Sequence, residues 1–452
     1  MPTETVNVSV IEEAGGVART ATNVLALLGE TTDSTKAGVV KKFRRVSDAE
    51  DYYSDGSGNS VSDELQNAVA DTLGSGLPSV YTVAYDVTNY APSYNNQSGA
   101  LTDDGSVDDS DLPIKRVNSV SVDGTTIANG STGTITYTHS TPSESDWEGD
   151  NLAGGDNEIV INPETGDYEI SDTGTSFTID FDTPDLDDPL SVLDREAYEY
   201  HTLAGLTYND QYHGMFDEML THATDENKLV TAALDSGVAP ADVKDLVELK
   251  RDGRMFLVAA YYNGDLTSAI GAHRAQAQVS ATAKERPAPT SISFTGSYTD
   301  VEYGTEENPG SSTFHGMGVN AIEKDAGGTY RLTNDRAMTG LTAFDRFHST
   351  KRAVRYVQSR IEDDILSARR DSGTNLPYTA AGITAVRNVI RGSLGYLERQ
   401  GIIDPEFTQI NMPRLSEVNG DDRQNRVLPG IEVDVRLTGQ IHLVKLDLRV
   451  DL

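Results

Sequence analysis

Residues 23–87 read NVLALLGETTDSTKAGVVKKFRRVSDAEDYYSDGSGNSVSDELQNAVADTLGSGLPSVYTVAYDV, and their pattern decides the fold class. The apolar run NVLALLG at 23–29 fits a strand covered on both faces. Ser47 and Glu50 have capping-box spacing ahead of a short helix over 48–54. A second helix over 61–73 puts Val61, Leu65, Ala68 and Val69 on one face. SVYTVAYDV at 79–87 then reads as another strand. Strand, helices and strand on one core make an α/β layer.

Towards the N-terminus, TVNVSVI at 5–11 alternates cleanly, with Val6, Val8 and Val10 on one face and Asn7 and Ser9 on the other. EEAGGVART follows, so this strand is an arm set apart from the layer. Towards the C-terminus, residues 90–112 turn polar and rich in Gly, Ser and Asp, as a surface linker does. Residues 113–182 are strand-like, with turn signals at Asp123-Gly124 and at Glu164-Thr165-Gly166-Asp167. The simplest arrangement is an all-β module inserted into an α/β domain. The α/β pattern resumes with a helical stretch over 207–234, a central strand in MFLVAAYY at 255–262, and a small-residue helix over 266–283 closed by Pro287 and Pro289.

The last third is the most regular. Val354, Val357, Ile361, Ile365 and Ala368 fall at helical spacing over 350–370. Ile383, Val386, Ile390, Leu394 and Leu397 do so over 380–400, with Gly401 at the stop position. VLPGIEVDVRLTGQIHLVKLDLRVDL closes the chain. There Ile431, Val433, Val435 and Leu437 alternate with polar residues, and after Gly439 Leu446, Leu448, Val450 and Leu452 share one face. The predicted class is α/β (α+β), multidomain, with mixed sheets, flanking helices and extended terminal strands. The expected division is an N-terminal arm at 1–20, a discontinuous α/β domain at 21–95 and 190–340, an inserted β-rich domain at 96–189, and a C-terminal domain at 341–452 whose arm strand covers 440–452.

Composition narrows the function. The 452 residues carry a net charge of −35, with acidic residues spread along the chain and arginine making up most of the 36 basic ones. Such a surface suits high salt, where the Debye length falls to about 3 Å at 1 M and carboxylate repulsion is screened. It opposes nucleic-acid binding, which rests on Lys and Arg neutralising phosphates. With no cysteine there is no disulfide framework, thiolate zinc site or thiol nucleophile. The N-terminus shows no secretory signal pattern, and no apolar run reaches the 18 residues of a spanning helix, so a soluble cytoplasmic product without direct membrane insertion is expected.

No catalytic, cofactor or metal constellation emerges. Gly316-Met317-Gly318 and Gly56-Ser57-Gly58 are isolated Gly-x-Gly pairs without a third glycine. The eight histidines are dispersed; His201 and His213 stand apart, and no serine lies in a Gly-x-Ser-x-Gly elbow. Asp180, Asp182, Asp185, Asp187 and Asp188 offer oxygen ligands to Ca²⁺ but lack EF-hand spacing and its glycine, so a solvated domain-boundary loop is the preferred reading over a calcium site. Trp147 reads as a plug of the β module's core.

The opening block at 23–87, the segment GMGVNAIEKDAGGTYRLTNDRAM at 316–338, and the helix pair at 350–400 ending in LERQGIIDP and followed by a terminal strand together resemble the contractile tail sheath family of myoviruses and related injection machines. The resemblance covers 1–90 and 195–452. It departs from the family between the two C-terminal helices, where an aromatic and asparagine cluster is reduced to SGTNLPYT. It implies a structural, non-enzymatic subunit that forms homo-hexameric rings and a helical sheath around a tail tube. Contact with baseplate and tail terminator proteins is implied too, with assembly in the host cytoplasm into a virion tail that drives the tube through the host envelope. A cellular injection device is the alternative, and a surface-layer or adhesin-type protein of a salt-loving cell the more distant one. The acidic composition suggests a haloarchaeal host.

The resemblance further implies that the terminal arms add strands to neighbouring subunits. Lone strands are unstable, so Val6, Val8 and Val10 at one end, and Ile441, Leu443, Leu446, Leu448, Val450 and Leu452 at the other, are candidates for subunit interaction. Burying four to six such side chains stabilises a contact by roughly 6–15 kcal/mol before ordering costs. Arg352, Arg355, Arg369, Arg370, Arg387 and Arg391 make the C-terminal helices locally basic, and Arg387 and Arg391 are the candidates to face an acidic tube.

Overall fold

The computed structural model describes residues 4–10, 23–90, 93–95, 103–106, 112–129, 131–140, 157–170, 176–277, 279, 286–304, 310–339, 347–371, 378–424, 427–437 and 443–451. The chain opens with strand β1 (Glu4–Val10), then β2 (Leu25–Glu30), β3 (Val40–Phe43), α1 (Val46–Tyr52), α2 (Asp63–Gly74) and β4 (Val80–Tyr85). The apolar run becomes β2, whose Leu25, Ala26, Leu27 and Leu28 are all fully buried. Ser62 caps α2 by accepting from the Leu65 N–H. Helix α1 differs from its expected start. It begins at Val46 after an extended Arg45 with no side-chain cap, so Ser47 lies inside the first turn and the Ser47/Glu50 spacing is coincidental.

Nine short strands follow: β5 (Val87–Tyr90), β6 (Ser93–Asn95), β7 (Asp103–Ser106), β8 (Arg116–Val122), β9 (Thr125–Asn129), β10 (Thr134–Tyr137), β11 (Glu158–Ile161), β12 (Asp167–Ile170) and β13 (Ser176–Pro184). They form two sheets, β5-β13-β8-β9 with β6 also on β13, and β10-β11-β12-β7. Val120, Phe177, Ile179, Phe181, Ile159 and Ile161 fill the core between them. Trp147 lies outside the described residues.

Next come α3 (Asp187–Leu193), β14 (Tyr200–Leu203), α4 (His213–Asp225), β15 (Leu229–Ala233), α5 (Lys244–Leu249), β16 (Met255–Ala259), β17 (Tyr261–Asn263), α6 (Leu266–Gln276), β18 (Ser293–Gly296), α7 (Asp300–Tyr303), α8 (Phe314–Met317), β19 (Asn320–Lys324) and β20 (Tyr330–Leu332). The stretch expected as one helix over 207–234 is a helix and a strand. Asn227 turns the chain with φ of 52°, and β15 after it is buried along its whole length.

The central sheet has eight strands in the order β20-β19-β16-β15-β14-β2-β4-β3. Its six inner strands are parallel and both edge strands are antiparallel. Helices α1, α2 and α6 cover one face around Leu25 and Leu27, while α3, α4, α5 and α8 cover the other around Ala26 and Leu28. Close approach of α6 requires its small residues. A Cβ on Gly271 would stand 2.8 Å from Leu25 Cδ1 and 2.9 Å from Thr231 Oγ1.

The C-terminal part comprises α9 (His348–Asp371), α10 (Ala380–Arg399), β21 (Gln409–Asn411), α11 (Gly420–Gln424), β22 (Val427–Arg436) and β23 (Leu443–Asp451). The helical spacing read from the sequence is the packed seam. Val357, Ile361 and Ile365 meet Val386, Ile390, Leu394 and Leu397, and Ile431, Val433 and Val435 of β22 complete the cluster. A four-stranded sheet, β1-β23-β22-β21, lies here, with the first and last strands of the chain paired in parallel. The whole is a mixed α/β, multidomain fold.

Candidate functional site

In a doubly wound sheet, ligands bind beyond the carboxyl ends of the strands where strand order reverses. Here that point lies between β14 and β2, and Glu30 ends β2 beside it. The crevice holds the chain's own side chains. The buried Lys115 donates from Nζ to Glu30 Oε2 at 2.6 Å, Glu64 Oε1 at 3.0 Å and Tyr85 Oη at 3.0 Å. Arg116 grips Glu30 with two bonds of 3.0 and 3.1 Å and reaches Asp182 at 2.6 Å. Gln211 Nε2 donates to the Lys115 carbonyl at 2.9 Å. Burial alone would raise the Glu30 pKa, but Arg116 and Lys115 together hold it below the usual carboxylate range. An ion-pair network occupies the position of a ligand and ties the β-rich sheets to the central one.

The Gly-x-Gly pair at 316–318 is likewise packing. Thr313 caps α8, Gly318 ends it with φ of 84°, and a Cβ on Gly316 would lie 1.9 Å from the Gly310 carbonyl oxygen.

A second joint links α9 to the central sheet. Arg352 is fully buried and meets Glu199 with two bonds of 2.7 Å. Its remaining donors serve the carbonyls of Arg274 (2.9 Å), Ala277 (2.8 Å) and Ala275 (3.2 Å), at the C-terminal end of α6. Beside it, Arg274 pairs with Asp335 at 3.2 Å, and Asp335 accepts the Ser349 N–H at 3.1 Å. His348, buried between Arg274 and Arg352, is held well below its ordinary pKa by burial and then by those two cations. This corrects the reading of Arg352 and Arg355 as part of a basic, tube-facing helix surface. Arg352 and the buried Arg355 belong to an internal joint. The Arg369 and Arg370 side chains lie outside the described residues.

A cleft of about 520 Å³ opens between the β-rich sheets and α3–α4, lined among others by Glu164, Asp187, Asp194, Asp217, Glu218 and Lys250. Lys250 lies 3.1 Å from Asp217 and 3.3 Å from Glu164. Bonding to His213 holds Glu164 down at about 2, against the opposing effect of burial. Burial, then Asp187 and Asp185, push Glu218 up to about 8. Among the described residues no group of three or more His, Asp or Glu is placed to hold a metal ion. From the acidic stretch, Asp182 instead serves Arg116, Asn89 and Asn118.

Raising the folded pKa of Glu218 from an unfolded value near 4.5 fixes the sign of its pH effect. The fold binds the proton more tightly, so the associated stability is whole below about 4.5 and is lost as pH rises through about 8. Glu218→Gln is expected to melt with the parent chain at pH 4 and at a higher temperature at pH 9. Equal melting temperatures at pH 9 would remove Glu218 as a strained group.

The candidate arm residues fall on described strands except Ile441 and Leu452, which lie outside them. Val6, Val8 and Val10 stand in register with Leu446, Leu448 and Val450. On the other side of β23, Leu446 is opposite Val433, Leu448 opposite Ile431 and Leu443 opposite Arg436. All these pairings are within one chain. Arg387 is half-buried and Arg391 exposed on α10, and neither makes an ion pair among the described residues.

No family model matches the chain, and no curated protein matches its sequence. Solved structures do match. A sheath tail protein from Desulfitobacterium hafniense superimposes with a TM-score of 0.51 at 10% identity, over 96% of this chain and 98% of that one. A chain of the anti-feeding prophage baseplate, solved by cryo-electron microscopy with six-fold symmetrisation, gives 0.52 at 10% identity, over 97% and 92%. At nearly full mutual coverage, the chain has the fold of sheath tail proteins.

Proposed function

We propose that the chain is a subunit of a contractile sheath, forming six-fold rings that stack helically around an inner tube. The observation that carries this is the nearly end-to-end match to a sheath tail protein, 96% of one chain on 98% of the other. The six-fold symmetry of the baseplate assembly that holds the other match supports the ring. The crevice beside Glu30 is also filled by the internal ion pairs of Lys115 and Arg116, which suits a structural role.

In this reading the arm at 1–20 and the strand at 440–452 link subunits, the α/β part and the C-terminal part form the body, and the β-rich part at 96–189 is a surface module. Contraction is rigid-body movement of bodies joined by arms, its energy stored at assembly. The end use is ejection of a viral genome through the host envelope, from a virion assembled in the host cytoplasm. The charge of −35 supports a halophilic host, and the partners are the tube, baseplate and terminator proteins.

Negative-stain electron microscopy of the purified chain in molar salt, with and without its tube protein, tests the reading. With the tube protein present, tubes or stacked rings with six-fold end views are expected. Failure to polymerise even with the tube present would overturn it. The inner contact has its own test. Arg387→Glu with Arg391→Glu is expected to reduce tube recovery in a pull-down while leaving the fold intact by circular dichroism, and unchanged recovery would remove α10 from the tube surface.

A further inference from the structure

A strand has two hydrogen-bonding edges, and each edge holds one partner at a time. In this chain both edges of β23 are taken, one by β22 over Val427–Arg436 and the other by β1 over Glu4–Val10. We infer that the β1–β23 pairing is a self-occupied, assembly-blocked state of the free subunit, in which the edge that would receive β1 of a second copy is held by the chain's own β1. This rests on the sheath reading and adds a control step to it.

The occupant that competes is another copy of the same strand, because exchange swaps the seven-residue register Glu4↔Val444 to Val10↔Val450 for an identical one. Strand for strand the exchange is close to neutral, so the lattice contacts decide its direction. In dilute solution the chain's own strand wins. Tethering gives it an effective concentration on the order of millimolar, about 10³ above a micromolar foreign strand.

Tether length identifies which strand leaves. β23 follows β22 as an antiparallel partner, with Arg436 opposite Leu443. β1 ends at Val10 and β2 starts at Leu25. The intervening residues reach at most roughly 45–50 Å at about 3.3–3.6 Å each, a length that lets β1 leave the β23 edge while its own body stays in place. Polymerisation then requires β1 to open before it can be shared, which keeps stored subunits from growing without a template.

The chain has no cysteine, so an added pair reports this pairing without background. Asn7 and Asp447 are opposite each other at polar positions of the register, and adjacent strands sit at about 4.8 Å, within disulfide reach. Asn7→Cys with Asp447→Cys is expected to polymerise like the parent when reduced, which also shows that it folds. Oxidised as the free subunit, it is expected to give an intrachain bridge, seen as faster migration on a non-reducing gel, and to lose polymerisation until reductant is added. Oxidised after assembly, it should give chain-to-chain ladders.

Polymerisation of the intrachain-bridged protein at the parent rate would overturn the blocked state. So would intrachain bridges alone in the assembled sheath. Failure of the reduced, tube-supplied chain to polymerise at all would overturn the sheath reading itself, and the blocked state with it.

Discussion

Arg352→Met is expected to lower the stability of the chain by about 3–5 kcal/mol, as for removal of one partner from a buried ion pair. The urea midpoint of the folded chain measures it. The loss has two sources. Glu199 is fully buried, and without Arg352 its nearest cation is Arg355 Nη1 at 3.9 Å. The carbonyls of Arg274, Ala275 and Ala277 also lose their donor, at the helix end where unpaired carbonyls concentrate negative partial charge. Arg352→Lys is expected to recover little, because an ammonium cannot span both carboxylate oxygens and the helix end together. Pairing Arg352→Met with Glu199→Gln should cost less than the two single changes summed. A shift below about 1 kcal/mol for Arg352→Met would mean that packing of α9, and not this joint, secures it to the central sheet.

Lys115→Met comes second, at about 2–3 kcal/mol. It is smaller because Glu30 keeps Arg116 and Glu64 reaches solvent. Its effect is local in a way that the Arg352 change is not. Lys115 directly precedes β8 and its ammonium ties that strand to Glu30 and Glu64, so hydrogen exchange should rise in β8 and β13 while β15 and β16 stay protected. Uniform exchange across the chain would show that the β-rich sheets are held by their apolar contacts alone.

These two joints mark where reading the sequence stopped. Local patterns were legible: the apolar run at 23–29 is a strand covered on both faces, and the i, i+3, i+4 series in α9 and α10 is their shared seam. Arg352, by contrast, looks like one more surface arginine on an amphipathic helix. Its carboxylate partner is 153 residues away, and Lys115 is 85 and 51 residues from Glu30 and Glu64. No periodicity carries such a signal, since only the closed sheet brings these positions together. The stretch over 207–234 failed for another reason. LVTAA has apolar spacing that suits either element, and burial on both faces of the sheet decided it. The Ser47/Glu50 motif had correct spacing but the chain entered the helix two residues earlier, with Arg45 pairing to Asp48 in place of a cap.

The parallel pairing of the first and last strands also sets a clock. Residues 4–10 leave the ribosome well before their partner at 443–451. At about 5–20 residues per second the interval is roughly 20–90 s. Throughout it β1 lacks its β23 partner, and nascent chains on one polysome present this segment side by side. The clasp closes only after residues 443–451 have emerged, so a product interrupted before them leaves residues 4–10 without this partner.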